Sequence, residues 1–352
     1  SQFPAISPDG KLIAFMNNAN PQDLAKQKAT TAKPEDKRES DVRVITRALY
    51  RINGAGYVDQ ARPGHIWVIA APRSADEKVT PRQLTSGRFS EENVNWSKDS
   101  SQIYFTSDRV DEPYYDLPTT TIYAVATAGG QPAKLTSVDM WARGFAVSPN
   151  GKQFAFVAPI ARPRKSYEQP DLWVMDIAPD AKPRNLTEDF DYDVGAGVGG
   201  DNPAPRGGGG DAAIWTADGR GIIEVYTKEG RANLARFDAG DGKLTDITRG
   251  DQAVLSFWST PDGARLVYNI STPTRIGDLY VLEGSGPGTA KQLTHLNDNF
   301  FSRLNLTEPE EIWYQSFDGR KIQAWVQKPP DFNPRRKYPL ILNIHGGPHA
   351  AY

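Results

Sequence analysis

The chain's 352 residues carry 41 Lys and Arg against 43 Asp and Glu, a formal net charge of −2. That balance excludes the basic excess of a nucleic-acid binder. The absence of Cys excludes disulfides, thiolate metal sites and a Cys nucleophile, and no apolar run of about eighteen residues is present to span a membrane.

In chain order, the first element is a turn, Ser7-Pro-Asp-Gly10, in which Pro presets φ and Gly accepts the left-handed conformation. A strand follows at His65-Ile-Trp-Val68 and a short outer strand ends in Gln83-Leu-Thr85. The same order then recurs. The turn reappears as Ser97-Lys-Asp-Ser100, Ser148-Pro-Asn-Gly151, Thr216-Ala-Asp-Gly219 and Thr260-Pro-Asp-Gly263. The strand reappears as Thr121-Ile-Tyr-Ala-Val125, Asp171-Leu-Trp-Val-Met175, Asn233-Leu-Ala-Arg-Phe237 and Asp278-Leu-Tyr-Val281. The outer end reappears as Lys134-Leu-Thr136, Asn185-Leu-Thr187, Asp246-Ile-Thr248 and Gln292-Leu-Thr294. The step from outer Thr to the turn's acid or amide is fourteen residues for Thr85 to Asp99, Thr136 to Asn150 and Thr248 to Asp262. A four-stranded antiparallel unit recurring at about 40–50 residues predicts β-propeller blades, five of them complete here. With 31 Gly and 27 Pro and little helical periodicity, the chain reads as mainly β.

Two insertions interrupt the repeat. The first, residues 17–60, begins polar and continues through Asp41-Val-Arg-Val-Ile-Thr-Arg-Ala-Leu-Tyr-Arg51. Arg43, Arg47 and Arg51 are four apart and are expected on one side, either as a guanidinium stripe for a substrate carboxylate or as a solvated face paired with Asp36, Glu39 and Asp41. The second follows Thr187. Asp189, Asp191 and Asp193 resemble the opening of a calcium loop, but the glycine falls at Gly195 and no Glu occupies the twelfth position, so no metal site is expected. Arg162-Pro-Arg-Lys165 reads as solvated surface.

After Thr294 the pattern changes. Glu311-Ile-Trp-Tyr-Gln315, the Asp318-Gly319 turn and Lys321-Ile-Gln-Ala-Trp-Val326 predict a hairpin, followed by a Pro-rich link. The apolar run Tyr338-Pro-Leu-Ile-Leu-Asn-Ile344 predicts a strand buried on both faces of a mostly parallel sheet, and it runs into His345-Gly-Gly-Pro348. A buried strand ending in His-Gly-Gly matches the oxyanion loop of α/β-hydrolases, where glycines let backbone N–H groups face the developing negative charge.

Together the repeats, Ser316-Phe-Asp-Gly319, Lys328-Pro-Pro330, Lys337-Tyr-Pro-Leu340 and His345-Gly-Gly-Pro348 resemble the prolyl oligopeptidase family of serine peptidases. Within it, Val42 to Arg47, Tyr50-Arg51 and Gly56-Tyr57 resemble the bacterial acylaminoacyl-peptidase and dipeptidyl-peptidase branch. The resemblance implies a propeller of about seven blades followed by an α/β-hydrolase, with residues 1–305 the propeller, lacking its first blade, and 306–352 the start of the hydrolase. It implies an oxyanion segment at His345, Gly346 and Gly347, with the Gly347 N–H as donor, and a Ser-Asp-His triad C-terminal to Tyr352. The implied partners are the remaining peptidase segment and short peptides, with no cofactor; a homo-oligomer is compatible. Acylaminoacyl and dipeptidyl specificity stay open, as do cytoplasm and periplasm. The rival readings are a non-enzymatic TolB-like propeller and an esterase with a propeller cap. A free substrate amine would need carboxylates, for which Glu91-Glu92, Asp111-Glu112 and the Asp189 cluster are candidates.

Overall fold

In each of the five predicted turns the side chains show why the same residue types recur. Ser7 Oγ donates to Asp9 Oδ1 at 2.7 Å and accepts the Leu12 N–H at 2.9 Å, while Asp9 Oδ1 accepts the Lys11 N–H at 3.1 Å. Ser97 with Asp99, Ser148 with Asn150, Thr216 with Asp218 and Thr260 with Asp262 repeat the arrangement. The fourth position is left-handed throughout, φ +72° at Gly10 and +62° at Ser100, where the non-glycine residue is tolerated at some strain. A hydroxyl and an acceptor two residues apart are what close this turn.

The computed structural model describes residues 4–19, 42–53, 56–115, 119–159, 168–199, 212–346 and 350–352. The chain divides into two compact units, residues 1–154 with 175–183 and residues 155–174 with 184–352. In the first unit, Ala5–Ile6, Leu12–Asn17, His65–Ala70 and Arg82–Gln83 form one four-stranded sheet, and Glu92–Trp96, Gln102–Thr106, Thr120–Ala126 and Ala133–Val138 a second. Arg143–Val147, Gln153–Pro159, Pro170–Asp176 and Arg184–Asn185 form the third. In the second unit, Ile214–Trp215, Gly221–Lys228, Arg231–Asp238 and Leu244–Asp246 make the fourth repeat, with Asp193–Val194 added along Gly221–Lys228. The fifth is Ala253–Ser259, Arg265–Thr272, Arg275–Glu283 and Lys291–Gln292. The fully buried Phe105, Phe154, Phe156, Phe237 and Leu234 come from central strands that are buried on both faces.

The Leu-Thr ends also have a physical basis. Thr85, Thr187, Thr248 and Thr294 each place Oγ1 2.9–3.0 Å from the backbone N–H of Ile66, Leu172, Leu234 and Leu279. Each hydroxyl donates in turn to a side-chain oxygen, of Glu91, Asp171, Asn233 and Asp278 respectively. The hydroxyl therefore ties the outer strand to its neighbour beyond the reach of the backbone ladder.

The turns also set an acid limit. The Ser7 hydroxyl and the Lys11 N–H hold the Asp9 carboxyl down at about 2, and Ser97 and Ser101 do the same for Asp99. Because both folded values lie below the ordinary 3.8, the turns' contribution is complete above that pH and is lost as pH falls toward about 2. An Asp9→Asn/Asp99→Asn variant keeps the turn, as Asn150 does naturally, and should show a shallower fall of the urea midpoint across that window. An unchanged acid slope would count against these carboxylates.

Beyond the repeats, Glu310–Gln315 and Lys321–Val326 pair as the predicted hairpin. The predicted buried strand at Tyr338–Ile344 does not form. Leu340, Ile341, Leu342 and Ile344 are 77–91 % exposed and carry no ladder. A strand buried on both faces needs sheet neighbours along its edges and packed layers over its faces, and none among the described residues is offered to it. Asp36, Glu39, Asp41, Arg162 to Lys165 and the oxyanion candidate Gly347 lie outside the described residues.

Candidate functional site

The first unit contains a cleft of about 820 Å³ whose walls come from the first insertion and from the connections around the first two sheets. Arg47 and Tyr57 line it from the insertion, Arg88 from the link between the sheets, Glu92 from the start of the strand Glu92–Trp96, and Asp111, Tyr114 and Trp141 from the second repeat's loops. The cleft lies where strands begin and end, with the cross-strand partners Glu92 and Thr106 in its wall.

Most of its charges are already paired. Arg88 Nη1 lies 2.6 Å from Asp111 Oδ1, and Arg62 Nε 3.1 Å from Asp59 Oδ2. Two are not. Among the described residues, the Arg47 guanidinium makes one hydrogen bond, from Nη1 to the Asp111 carbonyl oxygen at 3.2 Å, and the Glu92 carboxylate makes no ion pair or hydrogen bond. The cleft thus offers an uncommitted anion and a lightly engaged cation beside the aromatic rings of Tyr57, Tyr114 and Trp141, the last 63 % exposed. Such a surface suits a short chain with a charged end and apolar side groups.

A buried cluster anchors the end of the link, at Glu91, directly before Glu92. His65 Nδ1 lies 2.8 Å from Glu91 Oε2, His65 Nε2 3.2 Å from the Gly87 carbonyl oxygen, and Thr85 Oγ1 donates to Glu91 Oε2 at 2.9 Å. Both ring nitrogens thus lie within hydrogen-bond distance of oxygen atoms. His65 stands where the third, fourth and fifth repeats carry Asp171, Asn233 and Asp278, and Glu91 supplies the acceptor from the link instead.

The arginine stripe separates. Arg43 and Arg51 both lie over the Tyr57 ring, 4.6 and 5.6 Å from its centroid, while Arg47 lines the cleft. The paired carboxylates separate too: Glu91 is 2 % exposed, whereas Glu92 lines the cleft. Asp111 is held by Arg88. In the second unit, Asp193 enters a strand, and among the described residues no group of three His, Asp or Glu is placed to hold a metal. His345 is exposed, its Nδ1 2.9 Å from the Gly346 carbonyl oxygen and its ring stacked on Tyr352 at 4.6 Å. Sequence reasoning missed Trp141 and Arg88. A Trp in the link between Thr136 and Phe145, between two repeats, was the available signal for the first.

No family model matches the chain. It is 31 % identical over 191 residues to "Uncharacterized peptidase YuxL" of Bacillus subtilis (strain 168), a match covering 53 % of this chain and 28 % of that protein. It is 26 % identical over 364 residues to a dipeptidyl-peptidase 5 of Porphyromonas gingivalis, covering 97 % of this chain and 47 % of the relative. The chain therefore spans less than half the length of these two relatives. Among solved structures, the "putative TolB" from Agrobacterium tumefaciens superposes with a TM-score of 0.51 at 16 % identity, over 83 % of this chain and 79 % of that one. The fold is a β-propeller.

Proposed function

We infer that the chain, which belongs to the prolyl oligopeptidase family of peptidases, is the propeller-bearing part of a serine peptidase that cleaves short peptides. The nucleophile, acid and base would lie C-terminal to Tyr352, and His345, Gly346 and Gly347 would form the oxyanion segment, with Gly347 donating. The observation that carries this reading is the extent of the match to dipeptidyl-peptidase 5. At 97 % of the chain it leaves about 11 residues unmatched, so it must run through the hairpin at 310–326. The likeness to TolB, at 16 % identity, speaks for the fold alone, and a binding propeller has no need of that hairpin or of the apolar run after it.

Within this reading the cleft of the first unit receives a peptide end. Glu92 favours a free amino terminus, since an acylated terminus offers no cation to an uncommitted carboxylate. The test uses the complete polypeptide with paired chromogenic dipeptide substrates, free and N-acetylated. A fluorophosphonate should label a serine within G-x-S-x-G, and Glu92→Gln should lower kcat/KM about 10- to 100-fold for the free dipeptide and little for the acetylated one. Absence of labelling would overturn the peptidase reading, and equal losses on both substrates would overturn the role of Glu92.

A further inference from the structure

Within the second unit, the turn between Gly221–Lys228 and Arg231–Asp238 makes contacts that a surface turn does not need. Arg231 Nε lies 2.6 Å from Asp251 Oδ1 and Nη2 2.6 Å from Glu311 Oε2, Nη1 donates to the Glu229 carbonyl oxygen at 2.8 Å, and the guanidinium lies 5.3 Å from the centre of the Trp325 ring. Glu311 Oε1 accepts from Trp313 Nε1 and Gln323 Nε2, both at 2.8 Å. Gln323 Nε2 also reaches the Glu229 carbonyl oxygen at 2.9 Å. The hairpin at 310–326 is thereby clamped to residues 229–231. The bonds from Arg231 and Gln323 hold the Glu311 carboxyl below the usual carboxylate range.

The same turn reaches the chain beyond Gly346. Gly230 has φ +72°, and a Cβ there would lie 2.9 Å from both the Tyr352 carbonyl oxygen and Trp325 Cζ2. Nearby, the Gly199 N–H donates to the Ala351 carbonyl oxygen at 2.7 Å, Val198 bridges Ala351 in parallel, and a Cβ on Gly199 would lie 3.2 Å from the Tyr352 ring. Tyr352 in turn stacks on His345, the rings 18° from parallel. Hairpin, turn, Gly199, Tyr352 and His345 therefore form one continuous chain of contacts.

We propose that Arg231, Gly230 and Gly199 are positioning residues that set the placement of the His345–Gly346 segment. The proposal rests on the oxyanion reading above. Hydrogen-bond donors to a transition state act only at the right distance, and a misplacement of about 1 Å can cost on the order of 10²-fold in rate. Two glycines provide the close approach, and Arg231 fixes the hairpin against which Gly230 packs.

The first arm of the test needs only this chain. Hydrogen exchange at the Gly199 amide should accelerate at least tenfold in Gly230→Ala and Arg231→Met, with Glu311→Gln as a milder variant should either fail to fold. Asp251→Asn removes the charge of the outer partner of Arg231 and keeps Glu311, so it should exchange as the parent does. The second arm uses the complete polypeptide. Arg231→Met should lower kcat about tenfold or more with KM unchanged, and Arg231→Lys should recover part of it. Parent-like exchange at Gly199 in the folded variants would overturn the contact, and a loss confined to KM would overturn positioning. If the parent polypeptide cleaves nothing, the oxyanion reading fails, while the exchange arm still decides whether the turn holds the segment.

Discussion

Glu91→Ala should cost about 1–3 kcal/mol of unfolding free energy, because it leaves buried hydrogen-bonding partners unsatisfied. Glu91 and His65 are 2 and 5 % exposed, and the carboxylate receives His65 Nδ1 at 2.8 Å and Thr85 Oγ1 at 2.9 Å. Its other oxygen lies 3.7 Å from Arg109 Nη2, whose guanidinium rests 4.3 Å from the centre of the Tyr123 ring. Truncation leaves an imidazole nitrogen, a hydroxyl and part of a guanidinium facing a void that cannot solvate them. Glu91→Gln should lose less, since its amide oxygen can still accept from Thr85. Urea unfolding of the two variants, with the slope checked for two-state behaviour, measures the difference. A loss well under about 1 kcal/mol for Glu91→Ala would mean that water reaches the cluster and satisfies these groups. Because Glu92 follows Glu91 directly, the same substitution should weaken free-amine substrates in the complete polypeptide more than Glu91→Gln does.

Gly347→Pro in the complete polypeptide should lower kcat by about 10²–10³-fold, the range seen when one oxyanion donor is removed. Proline deletes the backbone N–H, which is the proposed donor, and adds no charge. Gly346→Ala is the matched control. Among the described residues a Cβ at Gly346 would meet nothing within 4 Å, and the variant keeps its N–H, so it should lose less than Gly347→Pro does. The loss should appear in kcat and kcat/KM alike, since the donor acts on charge that exists only in the transition state. Equal losses in the two variants, or a loss carried by KM, would remove Gly347 from the oxyanion role.

The repeat was legible in the chain because its chemistry is local. A hydroxyl two residues before an Asp or Asn, with a left-handed residue next, closes a turn wherever it occurs, as at Ser7, Ser97, Ser148, Thr216 and Thr260. The Leu-Thr ends were legible as a pattern only. Their reason, a hydroxyl bridging a backbone N–H and a side chain 14–16 residues back in three of the repeats, appears once strands pair.

Residue types and spacing by themselves determined the five turns, the strands between them and the hairpin at 310–326, since each depends on backbone preferences within a few residues. Tertiary structure decided what faces what. Arg43, Arg47 and Arg51 share a spacing but not a partner, because the Tyr57 ring takes two and the cleft takes one. Adjacent Glu91 and Glu92 part because one meets His65 inside and the other opens to the cleft. Arg231 and Glu311, 80 residues apart, meet only when the hairpin docks. The apolar run at 340–344 stays exposed because burial is a property of neighbours, which no stretch of chain supplies for itself.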